Sequence, residues 1–187
     1  MTEAAPGREQ TGRPVRPILR VTGMLLSPTP PDAHAVRIAL HTGSRQELWP
    51  LFELADDSAL AIRHYLDLGL VHVAMLGGIT IGHAQIVPHE LRLWELKSLA
   101  VLAPYRESGV GSRLVRRSIA WVREHGAERL LVATASADLD NLGFYQRLGF
   151  RMLRIERDAF TPERGYPEGL SVRGVPVRDR IWLEMPL

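Results

Sequence analysis

The stretch LAVLAPYRESGVGS, residues 99–112, joins the end of an apolar strand to the start of a helix through a turn that holds two glycines. A helix N-terminus leaves several backbone N–H groups without partners and carries a partial positive charge, and glycines let an anion approach the main chain. The stretch therefore predicts a cradle for a phosphate group. It is also compatible with a tight strand-to-helix connection that binds nothing, and the local pattern leaves both interpretations open.

Two familiar phosphate-binding loops do not fit the spacing of this turn. A dinucleotide fingerprint needs a third glycine after Gly111, and a nucleoside triphosphate loop ends in Gly-Lys-Ser or Gly-Lys-Thr. Residues 106–116 contain neither feature. The turn thus predicts a phosphate ligand without identifying it.

Strands and helices alternate on both sides of the turn. Glycine pairs, capping residues and apolar periodicity predict strands at 34–42, 70–75, 79–87, 91–102, 129–134, 150–156 and 180–185, and helices at 44–69 (one or two), 109–126 and 138–148. Gly77-Gly78 predicts a tight hairpin between two of the strands. The order indicates an α/β (α+β) fold, a mixed sheet with helices on its faces.

The N-terminal residues differ in composition from the rest of the chain. Residues 1–17 combine prolines, glycines and charges with few apolar side chains, which predicts a flexible tail. Residues 18–187 are long enough for one domain with an ordinary core. The apolar stretch 18–26 is ambiguous and fits an extra edge strand.

Composition excludes several classes of function. The net charge is +2, from 23 basic and 21 acidic residues, so no overall field favours nucleic acid or a membrane surface. The absence of cysteine excludes disulfides, thiolate metal sites and a cysteine nucleophile. The seven histidines lack metal-ligand spacing, so we expect no metal. With no signal-like or membrane-spanning stretch, we expect a cytoplasmic protein.

Two segments resemble the Gcn5-related N-acetyltransferase (GNAT) family, in particular its bacterial branch. Arg106, Gly109 and Gly111 match the family signature Arg/Gln-x-x-Gly-x-Gly/Ala, which here follows the typical Leu-Ala-Val strand end. FYQRLGF, residues 144–150, resembles the helix-to-strand segment whose tyrosine, here Tyr145, faces the coenzyme sulfur. The resemblance covers roughly residues 35–187.

The resemblance implies a fold and a cofactor. The fold is a mostly antiparallel sheet of about six to seven strands flanked by helices, with a splayed pair of parallel strands that holds acetyl-CoA. One departure is that Asp138 stands seven residues before Tyr145, where many relatives have asparagine, whereas Asn141 lies four residues before it. The implied cofactor-binding residues are Leu99, Ala100, Val101, Arg106, Glu107, Ser108, Gly109, Val110, Gly111, Ser112, Asn141 and Tyr145.

Glu95 and Tyr145 are the candidate catalytic residues. An alkylamine of pKa about 10 is neutral in only about one molecule per thousand at pH 7, so amide formation needs a route for the amine proton. Glu95 matches the glutamate that some family members use as general base, and Tyr145 would protonate the departing thiolate. The simpler alternatives are an ion pair of Glu95 with Lys97 and core packing of Tyr145.

Period-two alternation along the strand that carries Glu95 predicts its two faces. It places Glu95, Lys97 and Leu99 on one face and Trp94, Leu96 and Ser98 on the other.

The segment between the last two long strands bears on the identity of the acceptor amine. Residues 157–179 exceed what a hairpin needs, and they fit either a roof over the acceptor pocket or an ordinary surface loop. Acidic groups there, with Glu95, Asp138 and Asp140 as candidate substrate-binding residues, suit a cationic small molecule.

The same segment adds a resemblance that bears on the acceptor. RDAFT, residues 157–161, followed by Tyr-Pro-Glu resembles a bacterial branch whose relatives include aminoglycoside-modifying enzymes. This implies acetylation of a primary amine on a small molecule, such as an amino-sugar antibiotic (resistance by acetylation), by direct attack with no acyl-enzyme. The alternatives are a protein or peptide N-acetyltransferase and a non-catalytic acyl-CoA-binding module. The family also suggests a homodimer.

Overall fold

The structure is a computed structural model that describes residues 35–187. The predicted tail, 1–17, and the ambiguous stretch 18–26 lie outside the described residues. The strands are β1 (Arg37–Leu40), β2 (Leu70–Leu76), β3 (Ile79–Glu90), β4 (Leu93–Val101), β5 (Arg129–Ala135), β6 (Arg151–Glu156), β7 (Ser171–Val172), β8 (Val175–Pro176) and β9 (Arg180–Pro186). The α-helices are α1 (Trp49–Ala55), α2 (Ala59–Tyr65), α3 (Val110–Glu124) and α4 (Leu139–Arg147).

Seven of these strands form one sheet in the order β1-β2-β3-β4-β5-β9-β6. Every neighbouring pair is antiparallel except β4 and β5, which are parallel because α3 carries the chain back between them. The remaining two strands, β7 and β8, form a small separate hairpin. The predicted mixed, mostly antiparallel sheet flanked by helices is confirmed.

Turn and cap residues account for two of the predicted boundaries. Gly77 and Gly78 have φ of 56° and 83°, positive at both positions as the tight β2–β3 hairpin requires. The predicted helical stretch 44–69 divides into α1 and α2. The division occurs because the Ser58 hydroxyl accepts a hydrogen bond from Ala61 N–H at 3.1 Å and thereby starts a new helix.

Helices cover both faces of the sheet and enclose two apolar clusters. The larger cluster packs the buried stripe of α3 and residues of α4 against the sheet centre. The smaller one packs α1 and α2 against β2 on the opposite face. The buried stripe of α3 consists of Val110, Leu114, Val115, Ser118, Ile119 and Val122.

The predicted alternation along β4 is wrong beyond Lys97. Consecutive residues of β3 pair with Leu96 and Ser98, so Lys97 has no partner and forms a β-bulge. Ser98 therefore lies on the face of Glu95, whereas Leu99 packs into the larger cluster on the face of Leu96. A bulge adds one residue to a strand and reverses the inside and outside positions that follow it.

Candidate active site

The parallel strands β4 and β5 separate part-way along their length. They pair only where Leu93–Leu96 faces Arg129–Val132. From Lys97 onward the edge of β4 no longer pairs with β5, and a cavity of about 1560 Å³ opens between the strand ends. Its wall includes residues 97–101 of β4 and 133–135 of β5. This is the splayed pair that the resemblance implied.

The glycine turn borders one end of this cavity. Gly109, with φ of 83°, is the N-cap of α3 and provides no side-chain cap. The first hydrogen bond within the helix is donated by Arg113 N–H to Gly109 O, so three N–H groups before it have no helical partner. The Arg106 guanidinium donates to Val101 O at 3.0 Å and ties the turn to the end of β4.

Most of the predicted cofactor-binding residues line the cavity, and two do not. The Ser108 hydroxyl instead donates to Tyr105 O at 2.6 Å, and Val110 is buried in the larger cluster. Those that line the cavity are Leu99, Ala100, Val101, Arg106, Glu107, Gly109, Gly111, Ser112, Asn141 and Tyr145.

Tyr145 lies on α4 at the cavity wall, and its residue surface is 6% exposed. Its ring makes edge contacts with Phe144 and Phe150, with centroids 5.1 Å and 5.8 Å away. Burial, together with the charge of Asp138, raises the pKa of the phenol. The hydroxyl is therefore protonated at neutral pH, the form that can donate a proton.

Hydrogen bonds and an ion pair engage the polar groups at the start of α4. Asp138 caps the helix by accepting from Asn141 N–H at 3.0 Å, and it also accepts from the Asn141 side-chain amide at 2.8 Å. Asp140 pairs with Arg173, which lies on the turn between β7 and β8. All three of the predicted residues here, Asp138, Asp140 and Asn141, border the cavity.

Glu95 is buried at the other end of the cavity, and its side chain is 4% exposed. Its Oε1 lies 3.2 Å from Lys97 Nζ, and its Oε2 contacts His89 Nε2. Lys97 Nζ also lies 5.3 Å from the centre of the Tyr65 ring. The predicted ion pair with Lys97 exists, but it is inside the cavity wall rather than on a solvated face.

The segment 157–179 borders the end of the cavity where Glu95 is buried. Arg164 O accepts from the Ser58 hydroxyl at 3.4 Å, which joins this segment to the start of α2. The Tyr166 ring packs edge-on against Phe160, and burial near Asp56 raises the pKa of Tyr166 to about 12.

The anchor of this segment is Glu156. Burial alone would raise the pKa of Glu156. Hydrogen bonds from Arg164 and Trp182 and the charge of Arg180 outweigh burial and lower that pKa to about 2.

Three residues at the Glu95 end of the cavity were missed by sequence reasoning: His89, Asp56 and Tyr65. Tyr65 OH donates to Asp56 Oδ2 at 3.2 Å, and burial raises the pKa of that carboxyl. A signal existed for His89, because it lies on the short β3–β4 hairpin two residues beyond Val87, the β3 partner of Glu95. No signal pointed to Asp56, since its place in the cavity depends on how α1 and α2 pack on the sheet.

Within residues 35–187, no group of three or more His, Cys, Asp or Glu side chains is arranged to hold a metal ion. Across the same residues, no helix is both long and apolar enough to span a bilayer.

Comparison with known proteins agrees with the geometry of the cavity. The family model described as the acetyltransferase (GNAT) family matches residues 37–150. The chain belongs to the GNAT family. An uncharacterized GNAT-type relative, the N-acetyltransferase YvbK of Bacillus subtilis, is 29% identical over 81% of this chain and 97% of its own.

Solved structures extend this comparison to the fold and the cofactor. A GNAT acetyltransferase from Elizabethkingia anophelis with acetyl-CoA bound is 28% identical, with a TM-score of 0.76 over 82% of this chain and 99% of that chain. The IAA acetyltransferase from Bacillus cereus is 30% identical, with a TM-score of 0.75 over 81% and 99%. The chain is thus a GNAT N-acetyltransferase, and its acetyl donor is acetyl-CoA.

The residues at the glycine turn fit this donor. The uncapped N–H groups of α3 suit a pyrophosphate, and the open edge of β4 suits an extended arm with amide groups. A side chain at Gly111 would project toward Phe144 Cζ at 3.6 Å and narrow the space beside the helix start.

Proposed function

We propose that this GNAT enzyme acetylates a primary amine on a small cationic molecule, with an aminoglycoside or similar amino sugar as the leading candidate. The observation that carries the proposal is the end of the cavity that holds Glu95, which we take as the acceptor end. There the partly buried carboxylate of Asp56 and the buried carboxylate of Glu95 lie beneath the 157–179 segment. A covered, carboxylate-bearing end favours a compact ammonium compound over a peptide that needs an open groove.

The proposed donor site comprises the turn 106–112 and the edge of β4 at 99–101. When bound, acetyl-CoA supplies a thioester whose carbonyl carbon is open to attack. The N–H groups at the start of α3 would hold the pyrophosphate, and Asn141 at the mouth contributes a further contact. Ser108 serves this site by holding the turn through Tyr105 O.

Catalysis is assigned to both ends of the cavity. Glu95 takes part in removing the proton from the acceptor amine, and Tyr145 protonates the departing thiolate. The amine attacks the thioester directly in this proposal, and the absence of cysteine removes a thiol as an intermediate acyl carrier. Asp138 and Asp140 contribute negative charge at the mouth, where the cationic acceptor enters.

A panel assay tests the acceptor. Thiol release from acetyl-CoA is followed with kanamycin, spermidine and a peptide that has a free N-terminus and a lysine. We expect turnover with kanamycin or spermidine. When both substrates are varied, the double-reciprocal plots of the initial rates should intersect. Acetylation of the peptide alone would contradict the small-molecule proposal in favour of a protein N-acetyltransferase, and parallel patterns would contradict direct attack.

Location and assembly complete the proposal. A chain without cysteine needs no oxidising compartment, which supports a cytoplasmic location. A homodimer is supported by the edge strand β6, where Met152, Leu153 and Ile155 are exposed. Nothing in the overall charge favours a nucleic-acid partner.

A further inference from the structure

His89 stands near the end of β3 and faces Glu95 on the neighbouring strand, at the acceptor end of the cavity. The side chain of His89 is 41% exposed and that of Glu95 only 4%. One nitrogen of the imidazole therefore meets the buried carboxylate while the remainder of the ring is open to the cavity and to water.

The contacts of Glu95 limit what its carboxylate can do by itself. Oε1 is held by Lys97 Nζ at 3.2 Å and Oε2 by the His89 ring. Each oxygen thus already accepts from one neighbour, and the Glu95 side chain is only 4% exposed, so the more exposed His89 ring is the more accessible group for an incoming amine. The carboxylate is better placed to orient a neighbour than to take a proton from the acceptor.

The ring nitrogens of His89 have different surroundings. Nε2 contacts Glu95, whereas Nδ1 has no hydrogen-bond partner among residues 35–187. A carboxylate accepts hydrogen bonds and does not donate them, so in the neutral ring the hydrogen lies on Nε2. Nδ1 then carries the lone pair that can accept a proton.

We propose that His89 is the general base for the acceptor amine and that Glu95 is its positioning residue, an inference that rests on the proposed function. The amine nitrogen bonds to the acetyl carbon as the carbon–sulfur bond breaks and its electron pair goes to sulfur. The proton shed by the amine goes to His89 Nδ1 and from the exposed ring to water. Histidine is the side chain that most often serves as a general base in enzymes.

Steady-state kinetics with kanamycin or spermidine test the roles of His89 and Glu95. We expect His89→Gln to lower kcat about 100-fold with the KM for acetyl-CoA unchanged, and part of the loss to be recovered at high pH as neutral amine accumulates. Glu95→Gln leaves the imidazole of His89 in place but weakly held, so it should lower kcat about 10-fold. His41→Gln, outside the cavity, is the matched control. Retention of activity by His89→Gln, above all with loss in Glu95→Gln, would overturn the proposal.

A second measurement does not depend on turnover. Proton–nitrogen correlation spectra of the isotope-labelled full chain report which ring nitrogen carries the hydrogen, and His89→Gln identifies the His89 signal. We expect the Nε2–H tautomer in the wild type. The Nδ1–H tautomer would overturn the proposal, because Nδ1 would then be a donor. If the wild type acetylates no amine of the panel, the proposed function fails, while the tautomer still decides the His89–Glu95 arrangement.

Discussion

Tyr145 provides the clearest prediction at the scale of a single residue. Its phenol is buried at the cavity wall and its pKa is raised by burial and by Asp138, so it remains protonated and able to donate. We expect Tyr145→Phe to lower kcat by about 10- to 100-fold while the KM for acetyl-CoA and the melting temperature stay near wild type. Thiol-release kinetics measure kcat and KM, and thermal unfolding measures the melting temperature.

Tyr105→Phe is the matched control for this substitution. Tyr105 is partly buried and packs against the same apolar cluster, but it does not line the cavity. Its variant should retain full kcat. Equal rates in Tyr145→Phe and the wild type would contradict the role of the phenol as acid.

A substitution at Gly111, at the N-terminus of α3, tests the donor site. An alanine Cβ there would meet Phe144 Cζ at 3.6 Å, an ordinary contact, so Gly111→Ala should fold normally. The same Cβ would obstruct an anion approaching the first N–H groups of the helix. We expect the dissociation constant for coenzyme A to rise about 10-fold, or about 1.4 kcal/mol, in calorimetric titrations.

Gly143→Ala is the control for this change, since Gly143 is also helical but does not line the cavity. Its Cβ would meet only the flexible end of Arg147, at 3.0 Å. Affinity for coenzyme A should be unchanged in this variant. Unchanged affinity in Gly111→Ala as well would mean that the anion does not approach this turn.

Elements with strong local signals were predictable from sequence, and the fine register of the sheet was not. The Gly77-Gly78 hairpin and the glycine turn before α3 follow from local backbone requirements. The bulge at Lys97 does not, because periodicity carries no information about which residue a partner strand skips. Asp56 was missed for a related reason, since only tertiary packing brings it to the cavity.

Buried histidine links the stability of the whole molecule to pH. Burial lowers the pKa of His83 to about 3, whereas an unfolded chain has an ordinary value of about 6.5. Above pH 6.5 the ring is neutral in both states. As pH falls below that value, only the unfolded chain takes up the proton on this histidine, so His83 alone should lower the free energy of unfolding by about 1.4 kcal/mol per pH unit until its folded pKa is reached.

Urea unfolding between pH 7 and pH 5 measures this slope. His83→Gln should lose its part of the pH dependence, whatever its absolute stability. A slope in His83→Gln equal to that of the wild type would show that His83 is not held neutral in the fold.

Assembly is the second property of the whole molecule. Edge strands that expose apolar side chains tend to pair with another chain, and Ile155 on β6 is 64% exposed. We expect the wild type to sediment as a dimer and Ile155→Lys as a monomer. Leu91→Lys, at a site that is 92% exposed on the β3–β4 hairpin, should remain dimeric. A wild type that sediments as a monomer at every concentration would contradict the homodimer.

A crystal structure with coenzyme A and the acceptor amine identified by the panel assay tests the central claim most directly. We predict the pyrophosphate on the N–H groups at the start of α3, the sulfur between the splayed strands near Tyr145, and the acceptor nitrogen beside His89 and Glu95. Coenzyme A bound outside the gap between β4 and β5, or an acceptor nitrogen remote from His89 and Glu95, would contradict this account.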